Sequence, residues 1–298
     1  MKIKDITILF ILAGLWGASF LFMRVASPVI GPFLTIELRV LIAGVALLLY
    51  TVFMRKVPNL RTHWKQYLMI GALNAALPFV LIATATIHLN ASLAAILNST
   101  TPLFTAIVSW FWLKEKLNMK KWVGIVLGIF GVILLVGWSP IPLSKEVIMS
   151  VCFSIVAAFS YGVGGIYTKL TFKGVAPMTL AIGQQLGAAL LLIPFTVTQI
   201  PSMAVSTSII YSILGLALLC TAVAYLLYFY LIENVGPTNT LSVTLLVPFF
   251  GVIWGALFLG EKITFGIIAG LAVILTSVFL ISDIKVGARK IRKEKMVG

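Results

Sequence analysis

The sequence predicts an all-α membrane protein of ten transmembrane helices, arranged as two inverted five-helix repeats around a central cavity. Three observations predict it. Of the 298 residues, 61% are hydrophobic and only 10% are charged. The apolar residues recur nearly end to end in stretches of bilayer-spanning length. And the second half of the chain repeats the first.

Composition excludes a soluble domain: a mean hydropathy of +1.12 is more apolar surface than a water-facing protein of this length can bury. A crossing needs about 20 apolar residues for a hydrocarbon core of ~30 Å. Spans are therefore expected near residues 6–25, 33–54, 67–87, 92–113, 120–138, 147–168, 177–198, 207–232, 238–259 and 265–283. The first follows Met1-Lys2-Ile3-Lys4-Asp5 and has the look of a signal peptide, yet its segment recurs mid-chain, where no cleavage signal could operate. It is kept as structure.

A net charge of +14 would suggest nucleic acid in a soluble protein, but the placement of the 22 basic residues removes that reading. With a cytoplasmic N-terminus, 18 fall on the cytoplasmic side: Lys2, Lys4, Arg55, Lys56, Arg61, Lys65, Lys114, Lys116, Lys120, Lys121, Lys169, Lys173 and six from Lys285 onward. Only Lys145 and Lys262 face outward, while Arg24 and Arg39 lie at or within spans. The positive-inside rule then puts both termini in the cytoplasm of a multi-pass cell-membrane protein, with the lipid bilayer as partner and no nucleic acid.

At a shift of 146, Pro102, Phe104, Ile107, Glu115, Lys116, Gly124 and Val132 meet Pro248, Phe250, Ile253, Glu261, Lys262, Gly270 and Val278. At a shift of 145, Trp16-Gly17 falls on Tyr161-Gly162, Arg24 on Lys169, and Pro32 on Pro177. The chain divides into a first repeat at 1–140, a second at 141–284 and a basic tail at 285–298. Five crossings per unit is an odd number, so the second unit enters the membrane from the opposite side. Charge agrees: Glu115-Lys116 sits among basic residues, whereas Glu261-Lys262 has one. Inverted halves that rock about a midplane site are the physical basis of alternating access in many carriers.

The repeated unit, the opening Trp16-Gly17-Ala18-Ser19-Phe20, and the proline and Glu-Lys pairs at Pro102, Glu115, Lys116 and Pro248, Glu261, Lys262 resemble the EamA-type family of the drug/metabolite transporter superfamily. The resemblance spans essentially the whole chain. It implies a ten-helix carrier in a bacterial cytoplasmic membrane, often an exporter of amino acids or other small metabolites.

A proline inside a helix cannot donate to the carbonyl four residues back, so Pro102 frees that of Asn98 and Pro248 that of Thr244. Breaks at corresponding depths of inverted halves point to a transport site, and Asn98, Thr101, Pro102, Thr244 and Pro248 are its first candidates. The competing reading is a packing kink whose hydroxyls bond back to their own backbone. Trp16, Ser19 and Tyr161 would bring aromatic and small polar surface from the first helix of each half, unless they serve packing or interfacial anchoring. Asn74, Tyr225 and Tyr228 are further candidate wall residues, the tyrosines sharing a helix face. Glu37 and Arg39 lie inside the second span, two apart and so on different sides of the helix. Glu37 could carry a coupling proton or reach the headgroups; Arg39 could face a cavity or snorkel. Arg24 is expected as an interfacial anchor. Gly124, Gly128, Gly131, Gly266 and Gly270 offer flat surfaces for close helix contact, within a monomer or between copies of a homodimer.

No zinc-protease, serine-hydrolase or nucleotide-binding motif occurs, and Cys152 and Cys220 fall singly in apolar spans, so neither enzyme chemistry, disulfide, metal nor cofactor is expected. The expectation is a secondary transporter, with an exporter favoured, for a small neutral, zwitterionic or amphipathic molecule bound where the midplane holds no fixed charge. A passive channel is the main alternative, and a membrane scaffold the lesser one.

Overall fold

A computed structural model describes residues 2–139, 141–197 and 206–282; the basic tail from 285 lies outside them. Among the described residues the secondary structure is helical throughout. Eight helices are long and apolar enough to cross a membrane: α1 (Ile3–Ile30), α2 (Pro32–Phe53), α3 (Trp64–Ala85), α4 (Ala91–Trp112), α5 (Met119–Gly137), α6 (Lys145–Thr171), α7 (Pro177–Thr196) and α8 (Thr207–Val235). Two shorter apolar helices follow, α9 (Val243–Leu259) and α10 (Phe265–Ile281), with 17 residues each. At 1.5 Å per residue these reach about 26 Å.

The helix starts repeat with the sequence. Asn118 and Thr264, 146 positions apart, each accept a hydrogen bond from the backbone N–H three residues on, at Lys121 and Ile267, and so cap α5 and α10. α2 and α7 both open on proline, whose missing N–H costs nothing in a first turn. The tight reversal between α1 and α2 falls to Gly31, whose φ of +81° suits a residue without Cβ.

Three corresponding pairs of helices, α2 with α7, α4 with α9 and α5 with α10, meet and run antiparallel. Gly124 near the start of α5 packs on Ile281 at the end of α10, Gly131 on Ile274, and Gly266 near the start of α10 on Trp138 just past α5. Phe33 of α2 stacks on Phe195 of α7 at 5.4 Å, and Gly44 meets Leu186. Gly251 and Gly255 of α9 meet Ala95 and Ser92 of α4. The cross-contacts are reciprocal as well: α1 packs on α9 as α6 packs on α4, and α3 packs on α6 as α8 packs on α1. The candidate glycine faces of α5 and α10 are thus occupied within one chain, and this pair packs chiefly on itself beside the other eight helices.

α1 runs past Arg24 to Ile30, beyond the expected end of the first span, and one Nη of Arg24 donates to the carbonyls of Thr86 and Ile87. It caps the C-terminal end of α3, where carbonyls lack intrahelical donors and a cation is favoured. The paired proline breaks are also not equivalent. α4 is interrupted at Ser99-Thr100, just before Pro102, whereas α9 continues as helix through Pro248 and the irregular turn lies earlier, at Leu241-Ser242. α9 begins so close to Pro248 that the missing N–H leaves only its first turn under-bonded, while in α4 the deficit falls mid-membrane.

Candidate central cavity

A cavity of about 680 Å³ lies between the halves, within the range of small-molecule sites. Trp16, Ser19 and Met23 of α1 line it with Arg39 of α2, Asn74 and Phe79 of α3, and Asn98, Thr101, Pro102, Thr105 and Ser109 of α4. From the second half come Tyr161 of α6, Cys220, Thr221 and Tyr225 of α8, and Thr244, Val247 and Pro248 of α9. The structure therefore brings ten of the eleven candidate wall residues together.

Local backbone explains several of them. α3 and α8, which correspond in the repeat, each contain a π-helical stretch, Ala72–Ala76 and Gly215–Val223. The wider π turn re-aims side chains and recurs at functional sites. Here it turns Asn74, Cys220 and Thr221 onto the cavity; the Thr221 hydroxyl donates to the Leu216 carbonyl five residues back, at 2.8 Å. In α4 the hydroxyls of Ser99, Thr100 and Thr101 donate to the carbonyls of Ile96, Leu97 and Asn98, at 2.6, 2.7 and 2.8 Å. The carbonyl freed by Pro102 is thereby satisfied by Thr101, as the packing-kink reading expected, and the same residues still face the cavity. The Asn98 Oδ1 is buried with no hydrogen-bond partner, and the Ser19 hydroxyl is buried beside the Cys220 thiol. Tyr225 accepts from Gln184 Nε2 at 2.9 Å.

Tyr228 stands apart from the wall. It lies behind Trp16, ring to ring at 5.4 Å, and backs that side chain. Glu37 is also outside the cavity: it is buried and its Oε2 has no partner. Arg39 corrects the expectation of an uncharged centre. Only 5% exposed, it lines the cavity, with Nε donating to Thr221 Oγ1 at 3.0 Å, one Nη to Met23 Sδ at 3.8 Å, and the Phe79 ring 3.7 Å from the guanidinium carbon. An arginine at membrane depth costs about 2.5–3.5 kcal/mol on insertion scales, and these neutral partners offset only part of it. Its reach depends on α2 facing α8 across the halves, which residue spacing along α2 does not reveal. Thr221, Met23 and Phe79 went unnoticed because each is an ordinary residue in an apolar run; the sole signal was Arg39 itself, which required partners.

The two ends of the cavity differ. At one end, the carboxylate of Glu261 accepts from the backbone N–H of Ala91 at 2.6 Å, from that of Ser92 at 3.0 Å, and from the Ser92 hydroxyl. With Asn90 bonding to Leu93 N–H at 2.9 Å, the first turn of α4 is fully capped by groups from both halves. Gly255 permits this contact, because a Cβ there would strike the Glu261 carboxylate and Ser92. At the other end, the positions equivalent to Gly251 and Gly255 are Thr105 and Ser109, which face open cavity. Glu115, the counterpart of Glu261, lines the mouth and forms an exposed ion pair with Lys169 of α6 at 3.2 Å.

The family model described as the EamA-like transporter family matches residues 4–137 and again 148–283. The chain belongs to this family. Among full-length EamA-like relatives, the uncharacterized transporter YoaV of Bacillus subtilis is 27% identical over 89% of this chain and 92% of its own. Protein PecM of Dickeya dadantii is 26% identical over 97% and 95%. The uncharacterized inner membrane transporter YedA of Escherichia coli is 28% identical over 92% and 89%. A crystal structure with 18% identity shares the fold at a TM-score of 0.65, over 94% of this chain and 96% of that one. Both EamA-like segments contribute to the cavity, so the site belongs to the pair and to neither alone. The chain is an integral multi-pass membrane protein of a transporter family.

Proposed function

We propose that this EamA-like protein is a secondary transporter in the cell membrane that exports small amphipathic metabolites, amino acids or close relatives, by alternating access. In this reading α9 and α10 cross as well, giving ten spans with both termini cytoplasmic, and repeats 1–140 and 141–284 are inverted, as the antiparallel meeting of α2 with α7, α4 with α9 and α5 with α10 supports. The substrate occupies the cavity against Trp16, Ser19, Asn74, Asn98, Thr101, Pro102, Tyr161, Tyr225, Thr244 and Pro248. The observation that carries the reading is the asymmetry of the ends: Glu261 closes α9 onto α4 at one, while Glu115 leaves the other open. By the positive-inside rule the open end is cytoplasmic, the state in which an exporter loads.

The twofold relation of the halves suggests the transport cycle. When the inner end closes, Glu115 leaves Lys169 and accepts from the backbone N–H of Thr238, the sequence equivalent of Ser92, while Glu261 releases α4; Pro237, the equivalent of Ala91, has no N–H, so this cap has one donor fewer. A helix N-terminus prefers an anion, so each closed end is held by the same physics. The cavity exchanges sides without a continuous pore. Counterflow of labelled amino acids in proteoliposomes tests the proposal: saturable exchange stimulated by unlabelled solute inside is expected, whereas flux rising linearly with concentration would instead identify a channel. Reporter fusions in the Glu115 and Glu261 loops should fall on opposite faces of the membrane; a single face would end the inverted arrangement.

A further inference from the structure

The cavity holds one buried cation whose contacts are all neutral. Arg39 carries five N–H donors, and its hydrogen bonds go to a hydroxyl and a thioether. Among the described residues no carboxylate forms an ion pair with it, and Glu37, two positions away, has an oxygen with no partner and does not turn toward it. A buried guanidinium is ordinarily paired, and its planar fork matches a carboxylate in two parallel hydrogen bonds. Thr221 orients Nε from one side and Phe79 supports the planar face, which pre-organises the fork before a partner arrives. Asn98, whose Oδ1 is an unpartnered acceptor, and Ser19, whose hydroxyl lies beside the Cys220 thiol, line the same cavity, and most of the remaining wall is apolar or aromatic.

We propose that Arg39 is the carboxylate anchor of this cavity and that the transported molecule carries a carboxylate, as a free acid or a zwitterion, on an apolar body. The proposal rests on the transport reading above and sharpens it: amines, amides and esters of the same skeleton are excluded. The anion completes the coordination of Arg39 and neutralises it, so the loaded carrier moves through its cycle with no unpaired charge at the centre. Asn98 and Ser19 accept from donors on the body of the substrate, an ammonium in the zwitterionic case.

The test uses the full chain purified in detergent and reconstituted in liposomes, with a panel of the apolar and aromatic amino acids, their amides, the corresponding amines and the corresponding deaminated acids. Carboxylate members should raise the melting temperature and bind on the order of 100-fold more tightly than the matched amides. Arg39→Gln should abolish that preference. Arg39→Lys, which keeps the charge without the fork, should retain it with roughly tenfold weaker binding, and it serves if the glutamine variant fails to fold. Equal binding of acid and amide, an acid preference that survives in Arg39→Gln, or no carboxylate bound at all would overturn the proposal. Saturable counterflow of an amine or amide would leave transport standing and remove the anchor; selective carboxylate binding without counterflow would do the reverse.

Discussion

Replacing Glu261 by glutamine should open the sealed end of the cavity. Three hydrogen bonds converge on its carboxylate at the start of α4. Bonds to a charged acceptor contribute about 1.5–3 kcal/mol each and neutral ones about 0.5–1.5 kcal/mol. The amide keeps one acceptor oxygen and turns its N–H₂ toward backbone N–H groups, so at least one bond is lost and the rest weaken. The attraction of a negative charge to the helix N-terminus, about 0.3–1 kcal/mol, is lost as well. Together these amount to about 3 kcal/mol against the closed end, a shift on the order of 100-fold between the two states. Cys220 lines the cavity but is itself buried, so a cysteine placed at Thr105, which also lines it and is half-buried, reports the shift once Cys152 and Cys220 are changed to serine. A membrane-impermeant maleimide applied from the Glu261 side should label this cysteine on the order of 100 times faster in Glu261→Gln than in its parent. Labelling within about threefold of the parent would refute the latch.

Glu115→Gln should leave labelling from the Glu115 side almost unchanged, because the exposed pair with Lys169 contributes about 0–1 kcal/mol; counterflow should fall, since the opposite closed state loses its cap. Gly255→Ala, which places a methyl against Glu261 and Ser92, should cost the closed end about 1–3 kcal/mol and speed maleimide labelling from that side by about fivefold or more. Asn98→Ala should fold normally, since Oδ1 has no partner within the protein, and reduce substrate binding by roughly 3–10-fold in a titration. Glu37→Gln should keep counterflow within about twofold and raise the melting temperature in detergent, because a neutral amide costs less to bury than a carboxylate whose Oε2 has no partner; loss of proton-dependent counterflow would instead make Glu37 the coupling site.

The sequence by itself determined the environment, the number of apolar segments and the repeat, because each follows from local properties: run length against bilayer thickness, and residue identity at a constant offset. The prolines and polar residues of α4 and α9 pointed to the centre for the same reason, since irregular backbone survives in lipid only beside protein or a cavity. Tertiary structure alone decided the charge of the site and its sidedness. Arg39 reaches the cavity because α2 of one half faces α8 of the other, and Tyr228 misses it because Trp16 stands in front. The asymmetry of the ends arises from a pairing across 170 positions, Glu261 with the first turn of α4, while Glu115, in an equivalent sequence context, pairs elsewhere. Two positions alike in sequence therefore differ in role, because a conformational state is a choice between packings that the same residues both permit.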